Sequence, residues 1–239
     1  MNYCDVTMAT PAQNLACDEV LLDLAEAGLG GPLLRFWEPR QHFVVLGYSN
    51  HAAREVNLDF CRQEGIPVFR RCSGGGTVLQ GPGCLNYSLI LRIEMPGPLA
   101  GIHSANQFIM DRQAHALSSA LGRKVEQQGD TDLAVGRLKI AGNAQRRRRS
   151  FLVFHGCFLL NLDFDLLDKA LPMPSKQPDY RQNRSHGDFL LNLQIPAEVL
   201  KSSLCAAWEA QEPAAPPPFQ AIEKLAREKY LSDEWNFKF

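Results

Sequence analysis

Apolar positions along the chain follow two different periods, and their succession predicts helices and strands mixed through one fold. Residues 11–27, PAQNLACDEVLLDLAEA, set Leu15, Val20, Leu21, Leu22 and Leu24 on a broad face with acids elsewhere, the spacing of an amphipathic helix that Gly28, Gly30 and Gly31 end. The apolar runs 33–37 and 42–47, separated by Glu38, Pro39 and Arg40, predict two strands joined by a turn. Residues 57–64 predict a short helix stopped by Gly65, and 67–71 a strand running into Gly74, Gly75 and Gly76. A second strand pattern covers 85–93. Helical spacing returns over 104–121 through Phe108, Ile109, Ala114, Leu117 and Leu121, with Gly122 as its stop. A hairpin follows over 132–141, turning at Gly136 and Arg137, then a buried strand over 151–162. Residues 172–187 are rich in Pro, Lys, Arg and Gln and predict an exposed loop. Two helices, 196–209 and 219–230, flank the stiff connector EPAAPPP. Adjacent strands joined by short turns, without strict βαβ alternation, predict an α+β fold: a mixed, largely antiparallel sheet with flanking helices, spanning 1–239 as a single domain.

Composition narrows the function classes. The 239 residues are 45% hydrophobic, enough for one substantial core. Lys and Arg number 25 against 26 Asp and Glu, so a net charge of -1 supplies no general attraction to nucleic acid or anionic lipid. The seven cysteines show no C-x-x-C pair, which predicts reduced thiols in a cytoplasmic protein. No apolar run approaches the ~20 residues of a membrane span, and the N-terminus lacks the basic and apolar regions of a signal peptide. There is no G-x-x-x-x-G-K-[ST] loop, so a nucleotide must bind by another route.

Candidate chemistry begins at residues 70–91, RRCSGGGTVLQGPGCLNYSLIL. Three glycines beside Arg70 and Arg71 suit either a tight hairpin or a backbone cradle for a carboxylate or phosphate. Two further segments follow in order, GDTDLAVGRLKIAGNAQRR at 129–147 and HGCFLLNLD at 155–163. Together the three resemble the lipoate–protein ligase family, within the wider biotin/lipoate ligases, and the ending DEWNF at 233–237 also looks like the close of that family's catalytic domain. The resemblance implies a fold like the catalytic domains of class II aminoacyl-tRNA synthetases and biotin ligases. It also implies two steps: ATP and lipoate (or octanoate) form an acyl-adenylate and pyrophosphate, and a lysine of an acceptor lipoyl domain then takes the acyl group.

On that resemblance Lys139 is the catalytic lysine, a compact charge bridging carboxylate and α-phosphate oxygens. The flanking Gly136, Ile140, Gly142 and Ala144 leave room for a ligand beside it. Gly74, Gly75 and Gly76 are expected to line the carboxylate slot, with Arg71 near the anion, Ser73 as a hydroxyl donor, Cys72 as a packing residue and Thr77 at the loop's end. Asn86, Asn143, His155 and Gly156 are expected in the substrate or nucleotide site, Asn86 alternatively as a turn cap and His155 alternatively as a core histidine. Asp132 is the candidate Mg²⁺ ligand, alternatively a turn cap. Arg146 to Arg149 predict a solvated hairpin tip or a docking patch for the acceptor, not an RNA site.

The chain departs from the family pattern at several points. Cys157 stands where threonine is usual, Cys72 replaces a small residue and Asn143 replaces serine. The sequence stops within two residues of Trp-Asn-Phe, where many ligases continue into an accessory domain, so adenylation is expected to call on a separate partner chain. The loop 174–189 is expected to cover the ligand or dock the acceptor. Two rival readings stand beside the ligase. One is an octanoyl or lipoyl transferase that carries the acyl group on cysteine without ATP. Its cysteine is expected just before the lysine hairpin, and residues 85–156 contain none, which favours the ligase. The other is a non-catalytic lipoate- or biotin-binding module.

Overall fold

A computed structural model describes all 239 residues. In chain order the elements are β1 (Asn2–Asp5), α1 (Pro11–Glu26), β2 (Leu33–Trp37), β3 (Phe43–Leu46), α2 (Ala52–Glu55), α3 (Leu58–Gln63), β4 (Val68–Arg70), β5 (Val78–Gln80) and β6 (Cys84–Arg92). After these come α4 (Ile102–Leu121), β7 (Glu126–Gln128), β8 (Asp132–Val135), β9 (Leu138–Arg147), β10 (Phe151–Leu159), α5 (Phe164–Ala170) and α6 (His186–Phe189). The chain closes with α7 (Ala197–Ala207), β11 (Glu212–Pro213), α8 (Phe219–Leu225) and α9 (Asp233–Asn236). No helix is long and apolar enough to cross a membrane.

Eight strands form one sheet in the order β11-β1-β2-β6-β10-β9-β8-β7, parallel only where β1 meets β11 and β2. The other three form a small sheet, β4-β3-β5. The expected turn between 33–37 and 42–47 is therefore not a hairpin. β2 pairs with β1 and β6, whereas β3 pairs with β4 and β5. The cause is non-local: β3 (FVVL) is buried on both faces and needs a layer on each side. Phe43 and Val45 pack with α1 and the C-terminal helices, while Val44 and Leu46 pack with residues of α3 and α5.

The period-2 rule divides β6 and β10 cleanly. Leu85, Tyr87, Leu89 and Leu91 join Leu152, Phe154 and Phe158 in the main core beneath α4 and α7. The opposite face carries Asn86, Ser88, His155 and Cys157, which are directly paired across the two strands. One face is thus sealed by large apolar groups; the other is apolar where Ile90, Phe151 and Val153 pack under α1, and small and polar from Ser88 and His155 to Asn86 and Cys157.

Helix α1 starts with a capping box, Thr10 with Gln13, and Pro11 in its first turn. Its acids are not all on a solvent face: Asp18 and Glu19 are buried together with Asn14. Glu19 accepts from Lys229 and from the Tyr230 hydroxyl, each at 2.7 Å, which ties α1 to the chain end. Gly122 ends α4 in the left-handed region at φ 61°, the conformation its position predicts. The arginine run is only partly solvated: Arg147 donates to the carbonyls of Leu99 and Ala100, and Arg148 pairs with Asp23.

Arg70 closes the small sheet. It is fully buried without a carboxylate partner and donates to the carbonyls of Gly47, Tyr48, Asn50, Trp235 and Asn236. Arg70→Met fills a similar volume but strands those buried acceptors. It is expected to lower unfolding stability by roughly 3–5 kcal/mol, read by urea denaturation.

Candidate functional site

The small, polar face of β6, β10 and β9 is the floor of a cleft of about 570 Å³. Gly142 and Ala144 of β9 stand opposite Cys157 and His155, so three adjacent strands contribute to one surface. The glycine loop forms one wall. Residues 174–178 with Arg181 form another, and 49–51 with Arg54 and Glu55 form the rim. Apolar lining comes from Leu15, Trp37, Val45 and Val78.

Of the expected site residues, Arg71, Gly75, Gly76, Thr77, Asn86, Asp132, Lys139, Gly142, Asn143, Ala144, His155 and Gly156 line this one cleft. Cys72, Ser73 and Gly74 do not. Cys72 is buried on the far side of the loop beside Glu19 and Tyr230, where burial and the Glu19 carboxylate push its thiol up to about 12. It therefore packs behind the cleft and not within it. Ser73 is buried against His155, and the Gly74 carbonyl turns toward Arg71.

Arg71 organises the loop from inside. Its Nη2 donates to Gly74 O at 2.6 Å and Gly76 O at 2.8 Å, and its Nε to Ser73 Oγ at 3.1 Å. Burial pushes the guanidinium down to about 10, so it stays charged at neutral pH. Gly75 has φ 88°, and a Cβ there would meet Arg71 Nη2 at 2.9 Å. Gly47 is equally constrained, because its Cβ would lie 2.0 Å from the Gly75 carbonyl oxygen.

Lys139 points back over Gly142. Its Nζ is 2.8 Å from Asp132 Oδ1, and Asp132 Oδ2 accepts from the Tyr180 hydroxyl, also at 2.8 Å. Burial and the Asp132 carboxylate push the Tyr180 phenol up, so it remains a donor. Asn86 is not a turn cap: it exchanges two 2.9 Å hydrogen bonds with Gln80. Asn143 accepts from the Tyr87 hydroxyl and donates to Thr131 O at 2.6 Å, and Gly156 makes room for it.

Both oxygens of Asp132 are engaged, Oδ1 by Lys139 and Oδ2 by the Tyr180 hydroxyl. This donor set does not fit a resident Mg²⁺, and no step below is routed through one. The loop at 172–187 is less free than its composition predicts. Tyr180 holds it to Asp132 and Ser175 donates to Glu55, so it straps across the cleft.

Residues 10–198 match the lipoyl protein ligase A/B catalytic domain. The chain belongs to that family. It is 27% identical over 273 aligned positions to octanoyltransferase LipM of Brevibacillus brevis, covering 99% of this chain and 98% of the other. It is 29% identical over 238 positions to lipoate–protein ligase 1 of Staphylococcus aureus, covering 95% and 70%. In fold it is similar to a bi-partite lipoate protein ligase from Thermoplasma acidophilum, with a TM-score of 0.82 at 22% identity, covering 99% and 95%. The lipoate ligase fold expected from the three motifs is thus observed, and the chain is an enzyme of the lipoate ligase and transferase family. The relatives carry both activity names.

Sequence reasoning missed Asp18, Tyr180 and Gly47. Asp18 left a signal: a carboxylate within the Leu15–Leu22 stripe needs a buried partner, and Arg35 provides it at 2.6 Å. Gly142 gives the sharpest test of Lys139. An alanine Cβ there would lie 2.8 Å from Nζ and 2.9 Å from Cε, displacing only a flexible tip. Gly142→Ala is expected to cut the rate of acyl transfer about a hundredfold while leaving the melting temperature nearly unchanged.

Proposed function

We propose that the protein is an ATP-dependent lipoate–protein ligase, activating lipoate or octanoate as the acyl-adenylate and passing the acyl group to a lysine of a lipoyl domain. The observation that carries this reading is the character of the one cysteine lining the cleft. Cys157 lies on the floor, and the neighbouring Cys84 thiol, then burial, push its thiol well above the ordinary value despite Gln80 and Lys139. A thiol so held is a poor acyl carrier at neutral pH. Lys139, by contrast, is an aimed cation with its charge held in place by Asp132.

In the first step a carboxylate oxygen bonds to the α-phosphorus and the bond to the β-phosphate bridging oxygen breaks, releasing pyrophosphate. Two anions meet there, so Lys139 supplies the charge that makes the approach favourable. In the second step the acceptor amine bonds to the acyl carbon, the carbonyl–phosphate bond breaks, AMP leaves and the amine's proton passes to solvent. The strap at 174–181 excludes water from the anhydride between the steps. A separate accessory chain as partner is supported by the resemblance and by the bi-partite ligase of similar fold.

A second reading is cysteine-dependent octanoyl transfer, favoured by the LipM relatives. Assays with lipoate, ATP and a divalent cation, and a lipoyl-domain acceptor decide between them. The ligase reading expects pyrophosphate release, an acceptor mass increase, a loss of roughly 100- to 1000-fold in Lys139→Ala, and near wild-type rates in Cys157→Ser. Transfer from an octanoyl carrier protein without ATP, abolished in Cys157→Ser, overturns it.

A further inference from the structure

Beneath the glycine loop a row of polar groups runs from the interior to the cleft. Ser73 Oγ is 2.6 Å from His155 Nε2, His155 Nδ1 is 3.2 Å from Asp18 Oδ2, and Asp18 Oδ1 is 2.6 Å from Arg35 Nη1. Arg35, Asp18 and Ser73 are buried, whereas the His155 side chain is 12% exposed and lines the cleft.

Counting donors assigns the protons. Burial alone would push the Asp18 carboxyl up, but Arg35 and His155 outweigh it and hold it below its usual value, so Asp18 only accepts. With Oδ1 taken by Arg35, Oδ2 receives the Nδ1–H of His155. Arg71 Nε donates to Ser73 Oγ at 3.1 Å, and in the tautomer with its proton on Nδ1 the ring accepts the hydroxyl hydrogen at Nε2. A proton added at Nε2 reverses that bond. The imidazolium then donates to Ser73 and the hydroxyl hydrogen turns toward the loop.

Charge placement gives this reversal a purpose. Arg71 is held by loop carbonyls and Lys139 by Asp132, so a protonated His155 adds a positive charge to the floor below the glycines beyond what those two supply. The charged groups packed against the imidazole are Asp18 from α1, with Arg35 of β2 behind it, and Arg71 of the loop. Ser88 of β6 and Ala144 of β9, opposite His155 in register, add none. The Ser–His–Asp order also resembles a nucleophilic triad, but Ser73 is 1% exposed, which leaves its oxygen no path to an acyl carbon.

We propose that Asp18 and His155 are positioning residues that couple capture of a free aliphatic carboxylate in the cleft to uptake of a proton at His155 Nε2. This rests on the carboxylate substrate of the proposed function. The carboxylate favours the imidazolium, and the imidazolium supplies the counter-charge and resets Ser73.

Calorimetric titration of the full chain with octanoate and with lipoate, in two buffers of different ionisation enthalpy at about pH 7.5, measures the coupling directly. The wild type is expected to take up a fraction of a proton approaching one. His155→Gln, which hydrogen-bonds but does not titrate, is expected to take up none and to bind about tenfold more weakly. Histidine NMR of the unmodified protein provides a readout independent of any variant's folding, and the His155 ring signals are expected to move toward those of an imidazolium on adding octanoate. Carboxylate binding without proton uptake, equal uptake in His155→Gln, or an ester on Ser73 by intact mass overturns the proposal. Failure of either carboxylate to bind overturns the proposed function and this inference together, a result distinct from binding without uptake.

Discussion

The site depends on one buried guanidinium. Arg70 is the last residue of β4, and its hydrogen bonds to 47–50 and to 235–236 fasten the cleft rim and the chain end to the small sheet. Trp235 Nε1 returns a bond to the Arg70 carbonyl at 2.8 Å, and Asn236 Oδ1 accepts from its N–H at 2.9 Å. With Arg70 fixed, the next residues fall in place by alternation. Arg71 turns to the cleft, Cys72 back toward Glu19 and Tyr230, and Ser73 toward His155. A carboxylate partner for Arg70 would serve less well, because carbonyls drawn from separate segments join them in one contact.

The second constraint is size on the sheet floor. Gly142, Ala144 and Gly156 leave space where an ordinary strand would present side chains, and Lys139 and Asn143 fill part of it with functional groups. The Lys139 and Asp132 side chains are 23% and 15% exposed, so their pairing is screened less than a surface ion pair. Tyr180 holds the other oxygen of Asp132, so the position of the lysine tip and that of the strap are set by the same carboxylate.

Much of this was legible in the sequence because it is local. The alternation in β6 and β10 and the helical spacing and Gly122 stop of α4 each follow from short-range rules. What was illegible is decided across the chain. Glu38, Pro39 and Arg40 make a good turn, yet β2 and β3 lie in different sheets because each finds better partners far away. Glu19 reads as a solvent-face acid because Lys229 and Tyr230 are invisible from the helix alone, and the place of Asp18 in the apolar stripe calls for a partner without saying that it is Arg35. Arg71 is expected at the anion and does line the cleft, but nothing local marks Arg70 as a buried clamp, because the carbonyls it binds come from distant segments. The strands β1, β5, β7 and β11 are too short to show a period.

Arg71 also changes what the glycines do. In a trans peptide the C=O and the following N–H point in opposite directions. Since the Gly74 and Gly76 carbonyls are drawn to Arg71, the N–H groups of Gly75 and Thr77 point away from it, and both residues line the cleft. The guanidinium therefore serves an anion indirectly, by spending its own donors on carbonyls so that backbone donors face outward. Gly75 permits this by adopting φ 88°, where a Cβ would meet the Arg71 guanidinium, and Gly47 permits it because a Cβ there would strike the Gly75 carbonyl. The sequence signature of the cradle is thus four residues in space, one of them 28 positions from Gly75 in the chain.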